Sequence, residues 1–258
     1  MNRRKIGLYI FISLFILSLI LSIIPDEMNL DHRLAGVSFK APFGYDDLGR
    51  NLILQVARGT LVSISLSVSV VLCSFALGLI LAYFMSLEGI WSNVFIIISD
   101  AFKVIPPIVL ALFLASISGP GSLKLVIALT LASSSNISRT LYLKIKVLNK
   151  ESYIKVARSY GMSNVKIFCS HILIQLWPYI REQGVSLLLS CILTEASLSY
   201  IGCGVGVKTP SLGGILSSAR PVFLSYPHAT IFPTIVLLLL STSLVLVSKS
   251  LKDDRTIV

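Results

Sequence analysis

The sequence predicts an all-α polytopic membrane protein with about six transmembrane helices and a helix pair on its cytoplasmic side. Three observations predict it. Hydrophobic residues make up 55% of the 258 and charged residues only 13%, with a mean hydropathy of +0.86. A soluble core cannot hide that much apolar surface, whereas a bilayer can. The apolar residues gather into runs long enough to cross a hydrocarbon core of roughly 30 Å. These runs are continuous rather than alternating, so helices rather than barrel strands satisfy the backbone.

Taken in order, Ile6 to Ile24 is the first run, closed by Pro25 and Asp26. It is longer than a signal-peptide core and has no clear small-x-small cleavage site, so it is expected to stay as an anchor. Leu61 to Ser86 is the second. Val94 to Ser118 is the third, broken by Pro106 and Pro107, which remove backbone donors and suit a kink for gating or packing. Leu123 to about Tyr142 is the fourth and weakest, because Ser133, Ser134, Ser135, Asn136 and Arg139 make its second half polar. Val185 to Ile201 is the fifth and Ala229 to Ser248 the sixth.

Orientation follows from the basic residues. Arg3, Arg4 and Lys5 precede the first run; Lys144, Lys146, Lys150, Lys155, Arg158, Lys166 and Arg181 lie between the fourth and fifth; Lys249, Lys252 and Arg255 follow the sixth. Six spans put all three clusters on one side, which the positive-inside rule makes cytoplasmic together with both termini. Residues 143–182 are then cytoplasmic, and 25–60 and 202–228 external. The net charge of +10 is topological. Its spread over loops rather than along one groove points away from nucleic acid.

The most informative stretch is Lys150 to Ile174, a polar, basic segment between apolar runs. Tyr153, Val156, Ala157 and Tyr160 fall at i, i+3, i+4 and i+7 and share one helical face. Lys155, Arg158 and Ser159 fall on the other. Gly161 suits the left-handed residue that ends a helix, and Ser163 suits the cap of the next. The segment is either a docking element that enters a partner's groove or a solvated connector.

Several chemistries have no representative. GxxxxGK[ST], HExxH and GxSxG are absent, so the chain has no phosphate-cradling loop of its own and no recognisable catalytic constellation. Cys73, Cys169, Cys191 and Cys203 show neither CxxC nor disulfide spacing, and His32, His171 and His228 fall in different segments.

Three stretches in order carry a family resemblance. Pro42 to Ile64 (PFGYDDLGRNLILQVARGTLVSI) holds a Gly, an acidic pair and Gly-Arg ahead of the second run; 150–174 is the helix pair; and Ile192 to Arg220 (ILTEASLSYIGCGVGVKTPSLGGILSSAR) runs through the fifth span into a Gly-rich outer loop. Together they resemble the inner-membrane permease subunits of binding-protein-dependent ABC importers, of the peptide/nickel (oligopeptide and dipeptide permease C) type. The resemblance implies the type I importer permease fold in a bacterial cytoplasmic membrane, with residues 1–60 as N-terminal anchor and external segment and 61–258 as permease core. It implies a second homologous permease, two cytoplasmic ATPase subunits that hold the ATP, and an extracytoplasmic substrate-binding protein; this chain holds no cofactor and no metal. Peptides or nickel chelates are the implied cargo.

The chain departs from the family pattern in places. Lys155 stands where the family's coupling loop has Glu, followed by Val156, Ala157 and Gly161. Ile174 replaces a Pro, and Leu212 a Trp.

The resemblance assigns ATPase coupling to Tyr153, Lys155, Val156, Ala157, Arg158, Tyr160 and Gly161. Asp100 and Lys103, three apart on one face, are expected to pair with each other because an isolated charge in a span is costly; they are pathway lining or structure. Glu195, near the outer end of the fifth span, either meets a cationic substrate or accepts hydrogen bonds from the Gly-rich loop. Asp46, Asp47 and Arg50 either contact a binding protein or form a local cap and ion pair. The alternative function is a self-contained secondary transporter or channel that couples ions through Asp100, Lys103 and Glu195.

Overall fold

The computed structural model describes residues 3–26, 28–39, 41–87, 89–206 and 209–256, without the side chains of residues 3, 91, 118 and 253–256. Arg3 and Arg255, two of the residues that set the orientation, thus have no described side chain. Val207 and Lys208 of the Gly-rich motif lie outside the described residues.

Ten α-helices account for the architecture among the described residues: α1 (Arg3–Ser22), α2 (Leu52–Ser86), α3 (Ile90–Val104), α4 (Pro107–Ser118), α5 (Ser122–Leu148), α6 (Ser152–Ser159), α7 (Asn164–Ile167), α8 (Leu173–Ile201), α9 (Leu212–Ala219) and α10 (His228–Thr256). No strand occurs among the described residues, only an isolated antiparallel bridge between Tyr45 and Asn51. α1, α2, the continuous helix Asn164–Ile201 and α10 are each long and apolar enough to cross a bilayer, and α3 with α4 qualifies as one bent span. α5 is long but too polar to qualify alone. Its hydroxyls are placed against neighbours: Ser138 Oγ lies 2.9 Å from Ser99 Oγ of α3, and Gly78 of α2 admits Ile137 against its backbone.

α2 begins at Leu52, well before the expected Leu61, because its polar first turns are covered. Asn51 caps it, accepting from Ile53 N at 3.2 Å. Asp26, just past α1, accepts from Asn51 N at 3.1 Å and from Gln55 Nε2 at 2.6 Å. These bonds let Gln55 be buried and tie the end of α1 to the start of α2. The boundary expected at 60/61 therefore falls inside a helix.

The third span is broken as the two prolines predict. α3 and α4 meet at 81° around Ile105 and Pro106. Pro106 disfavours a helical Ile105, and Pro107 starts α4 at a position where its missing N–H is no loss. The fifth span is longer than the run from Val185. Helix continues from Asn164 to Ile201, through a π-helical turn at Phe168–Ile172 and past Pro178.

α2 is central, packed against α5, α8 and α1. α1 lies along α10, where Gly7 leaves room for the Ser243 carbonyl and Leu246. The bundle's buried core includes a cluster around Leu66, Val70, Leu129 and Leu198, one at the basic-loop end around Leu141, Ile145, Ile154 and Leu176, and two smaller ones around Leu52 and Leu212 and around Ile192 and Leu240.

Candidate functional site

At one end of the bundle α6 and α7 form the expected corner. α6 ends at Tyr160, and Gly161 follows with φ +76°, the left-handed conformation glycine adopts without a Cβ penalty. Ser163 caps α7, accepting from Lys166 N at 3.4 Å. The burial of α6 differs from the expected single apolar face. Ile154 and Ala157 turn inward and join the cluster with Leu141, Ile145 and Ile167. Tyr153, Val156 and Tyr160 face outward, Tyr160 at 84% exposure. Ala157 is therefore corrected from an outward docking position to an anchor. The reason is Ile154, which is fully buried and fixes the inward side. α6 is apolar on both faces: one side holds it to the bundle, and the other is uncovered.

The charges divide in the same way. Lys155 is exposed. Arg158 lines a cavity of about 800 Å³ between the corner and the ends of α2 and α5, shared with Lys146, Lys150, Tyr83 and Tyr142. Lys144 Nζ sits 4.5 Å from the centre of the Tyr179 ring, a cation–π contact that joins α5 to the lower part of α8.

At the other end, Glu195 is fully buried. Ser63 Oγ of α2 donates to its Oε2 at 2.7 Å, and Ser199 Oγ to its Oε1 at 2.7 Å. Among the described residues of the Gly-rich segment none bonds to the carboxylate directly; Leu212 N donates to Ser63 Oγ at 3.3 Å. Ser211 caps α9 by accepting from Gly214 N at 3.2 Å. Gly213 lies so close to α8 that a Cβ would strike the Ala196 carbonyl, and Gly59 of α2 makes room for Ile215. The glycines and the buried acid together hold α2, α8 and α9 in contact. Glu195 is enclosed, not presented to a passing substrate. Ser199, one helical turn beyond it, is the sequence signal for this arrangement; Ser63, far away in the chain, gives none.

Asp100 does not pair with Lys103. Its Oδ1 lies 3.8 Å from Arg139 Nε of α5, both side chains partly exposed. The helix spacing that brings Lys103 near also turns it outward, whereas α5 packs directly on α3.

In the segment before α2, Asp46 is buried and engaged in its own turn. It accepts from Leu48 N at 2.9 Å, from Arg50 N at 2.8 Å and from Arg50 Nε at 2.8 Å. Asp46 and Arg50 thus form the local cap and ion pair, and only Asp47 is left half-buried beside them. Burial, and then the neighbouring Asp46 charge, raise the Asp47 carboxyl above its ordinary value of 3.8.

Residues 74–254 match the family model described as "Binding-protein-dependent transport system inner membrane component". Among curated relatives, the glutathione transport system permease protein GsiD of Escherichia coli O6:K15:H31 (strain 536 / UPEC) is 29% identical over 232 residues, covering 88% of this chain and 75% of the relative. GsiD of Shigella boydii serotype 4 (strain Sb227) matches with the same figures. Among solved structures, the inward-facing MetNI methionine ABC transporter in its CY5 native crystal form superposes with a TM-score of 0.61 at 18% identity, covering 80% of this chain and 98% of the other. That likeness concerns the fold. The family match spans α2 from Ser74 through nearly all of α10, including the helix pair and the Glu195 region. The chain belongs to the binding-protein-dependent transport system inner membrane components: it is a multi-pass inner-membrane permease subunit of an ABC importer that works with ATPase subunits and a substrate-binding protein.

Proposed function

We propose that this chain forms half of a transport pathway, beside a second homologous permease, and takes force through α6 from one of two cytoplasmic ATPases. The observation that carries this reading is the double-sided α6. Ile154 and Ala157 root it in the bundle, while Tyr153, Val156 and Tyr160 present an uncovered apolar strip of the kind a groove accepts. Lys155 flanks that strip and meets an acidic or neutral patch on its own ATPase; Gly161 sets the corner, and Arg158 supports it from the cavity side.

ATP is bound by the partner subunits, and this chain holds no cofactor and performs no catalysis. The basic-loop end is cytoplasmic, with both termini, and the segment before α2 faces outward, where Asp47 is the acid left available to a binding protein. Residues 1–51 serve as anchor and external segment, and α2 onward as the permease core, the expected boundary at 60/61 moving to the start of that helix.

The cargo is a small peptide. This rests on the curated relatives, whose name gives glutathione; nickel chelates are the second class that the peptide/nickel resemblance allows. Asp100 and Arg139 stand where a bent span leaves polar groups partly open and are candidates for the pathway wall.

The test is affinity purification from membranes in mild detergent. An ATPase and a second permease should come with the chain, and the chain purified alone should not turn over ATP. Uptake of labelled glutathione and of nickel by reconstituted complex then separates the cargo classes. Turnover of ATP by the isolated chain, sensitive to its own mutations, overturns the reading.

A further inference from the structure

We propose that the groove between α1, α2, α8 and α10 is a binding site for one anionic phospholipid of the leaflet on the basic-loop side. The groove is about 360 Å³ and almost wholly apolar along its length, lined by Leu8, Leu72, Val185, Leu188 and Val247 among others. Two arginines, Arg4 and Arg181, complete it.

Both arginines stand at the same end. Arg4 and Leu251 share the groove, while Gly7, three residues on, backs onto Ser243 and Val247, so α1 runs antiparallel to α10. Ser186 Oγ lies 2.7 Å from Ser248 Oγ, and Ile192 packs with Leu240 and Leu244, so α8 also runs antiparallel to α10. α1 and α8 are therefore parallel. From Arg4 to Leu8 and from Arg181 to Leu188 the lining passes from cation to hydrocarbon in one direction, away from the basic-loop end. Arg181 to Leu188 is two turns of helix, roughly 10 Å.

This polarity matches a phospholipid. The Arg181 guanidinium takes the phosphate at headgroup depth, as basic pockets between transmembrane helices do, with Arg4 adding positive charge at the same end, and the apolar channel takes part of an acyl chain. A soluble anion would gain nothing from two turns of aliphatic wall, and a lipid without net charge little from the positive charge at the groove's end. Arg181 is exposed and makes no ion pair with another described residue. Gly184 keeps the channel open: a Cβ there would meet nothing nearer than Phe75 Cε2, at 3.7 Å.

The test is native mass spectrometry of the intact detergent-purified transporter, titrated with phosphatidylglycerol and, separately, with zwitterionic phosphatidylethanolamine. The wild type should hold phosphatidylglycerol in preference. Arg181→Gln should weaken phosphatidylglycerol about fivefold and leave phosphatidylethanolamine unchanged. Lys249→Gln, which removes one cation from the same end outside the groove, should change neither. Gly184→Leu should fill the channel and weaken both lipids, and the space around Gly184 admits that side chain.

Equal phosphatidylglycerol binding by wild type, Arg181→Gln and Gly184→Leu overturns the proposal, as does an equal loss in Lys249→Gln. A loss confined to Arg181→Gln overturns the groove as the site, because headgroup attraction alone would then explain it. A cysteine at position 72, with Cys73 changed to Ser, that cross-links to the partner permease makes the groove an interface and also overturns it. Lipid retention is read without transport, so failure of the cargo or coupling assignments leaves this test intact.

Discussion

Ser63 and Glu195, 132 residues apart in the chain, meet through a 2.7 Å hydrogen bond inside the bundle. Around this bond α2, α8 and α9 converge, since the same hydroxyl accepts from Leu212 N. Glu195→Ala removes the acceptor of both Ser63 and Ser199. Each buried hydroxyl left without an acceptor for its O–H costs about 1–3 kcal/mol. The variant should lose thermal stability in detergent, read by fluorescence-detected gel filtration, while Glu195→Gln, which keeps an acceptor and gains a donor, should lose much less. Equal melting of the wild type and Glu195→Ala would show that the acid holds nothing together.

The two sides of α6 separate docking from folding. Val156→Glu places a charge on the uncovered strip and should reduce ATPase co-purification at least about tenfold while the permease keeps its abundance and melting temperature. Ala157→Glu buries a carboxylate against Ile145 and Ile167 and should destabilise the permease itself by roughly 3 kcal/mol or more. If Val156→Glu retains its ATPase and transports normally, α6 is only a connector.

Two glycines should fail for different reasons. Gly161 has φ +76° and open space around it, so Gly161→Val introduces backbone strain of about 1–3 kcal/mol without a collision. Gly213 faces the Ala196 carbonyl, so even Gly213→Ala must push α9 from α8. Proteolysis of the purified transporter should therefore show new cleavage near residue 161 in the first variant and around residues 203–220 in the second. An unchanged digest of Gly213→Ala would refute the close packing of α9.

Asp47 gives a pH dependence with a defined sign. Its carboxyl is raised above 3.8 in the fold, so the folded state holds the proton more tightly than the unfolded chain. Stability from this group is present below the ordinary value and declines as pH rises through the raised one. Asp47→Asn should melt above the wild type at pH 7, and the gap should close as pH falls toward about 4. A gap that widens on acidification would reverse the assignment.

The features legible in the sequence are those with a local cause. The apolar runs mark the spans because membrane helices need little beyond length and hydropathy. Pro106 and Pro107 mark the break between α3 and α4, and Gly161 and Ser163 mark the corner, because each is a local backbone demand. The features that are not legible depend on partners distant in the chain. Asp26 hides Gln55 and so extends α2; Arg139 takes Asp100 from Lys103; Ser63 meets Glu195. The inward side of α6 differs from expectation for another reason. Three of the four residues spaced as one stripe lie on a second apolar face, and Ile154, outside that stripe, decides which face is inside.

The unbroken run of helix from Asn164 to Ile201 has a mechanical consequence. It is a single rod of roughly 57 Å, rooted beside α6 at one end and carrying Glu195 near the other. A tilt imposed at the foot must reappear at the head, with the opposite sense about whatever point the bundle holds still. Only the π-helical turn at Phe168–Ile172 and Pro178 interrupt its regular ladder, and both lie in the lower half. Compliance is thus concentrated near the foot, and the upper half moves as one stiff arm against α2.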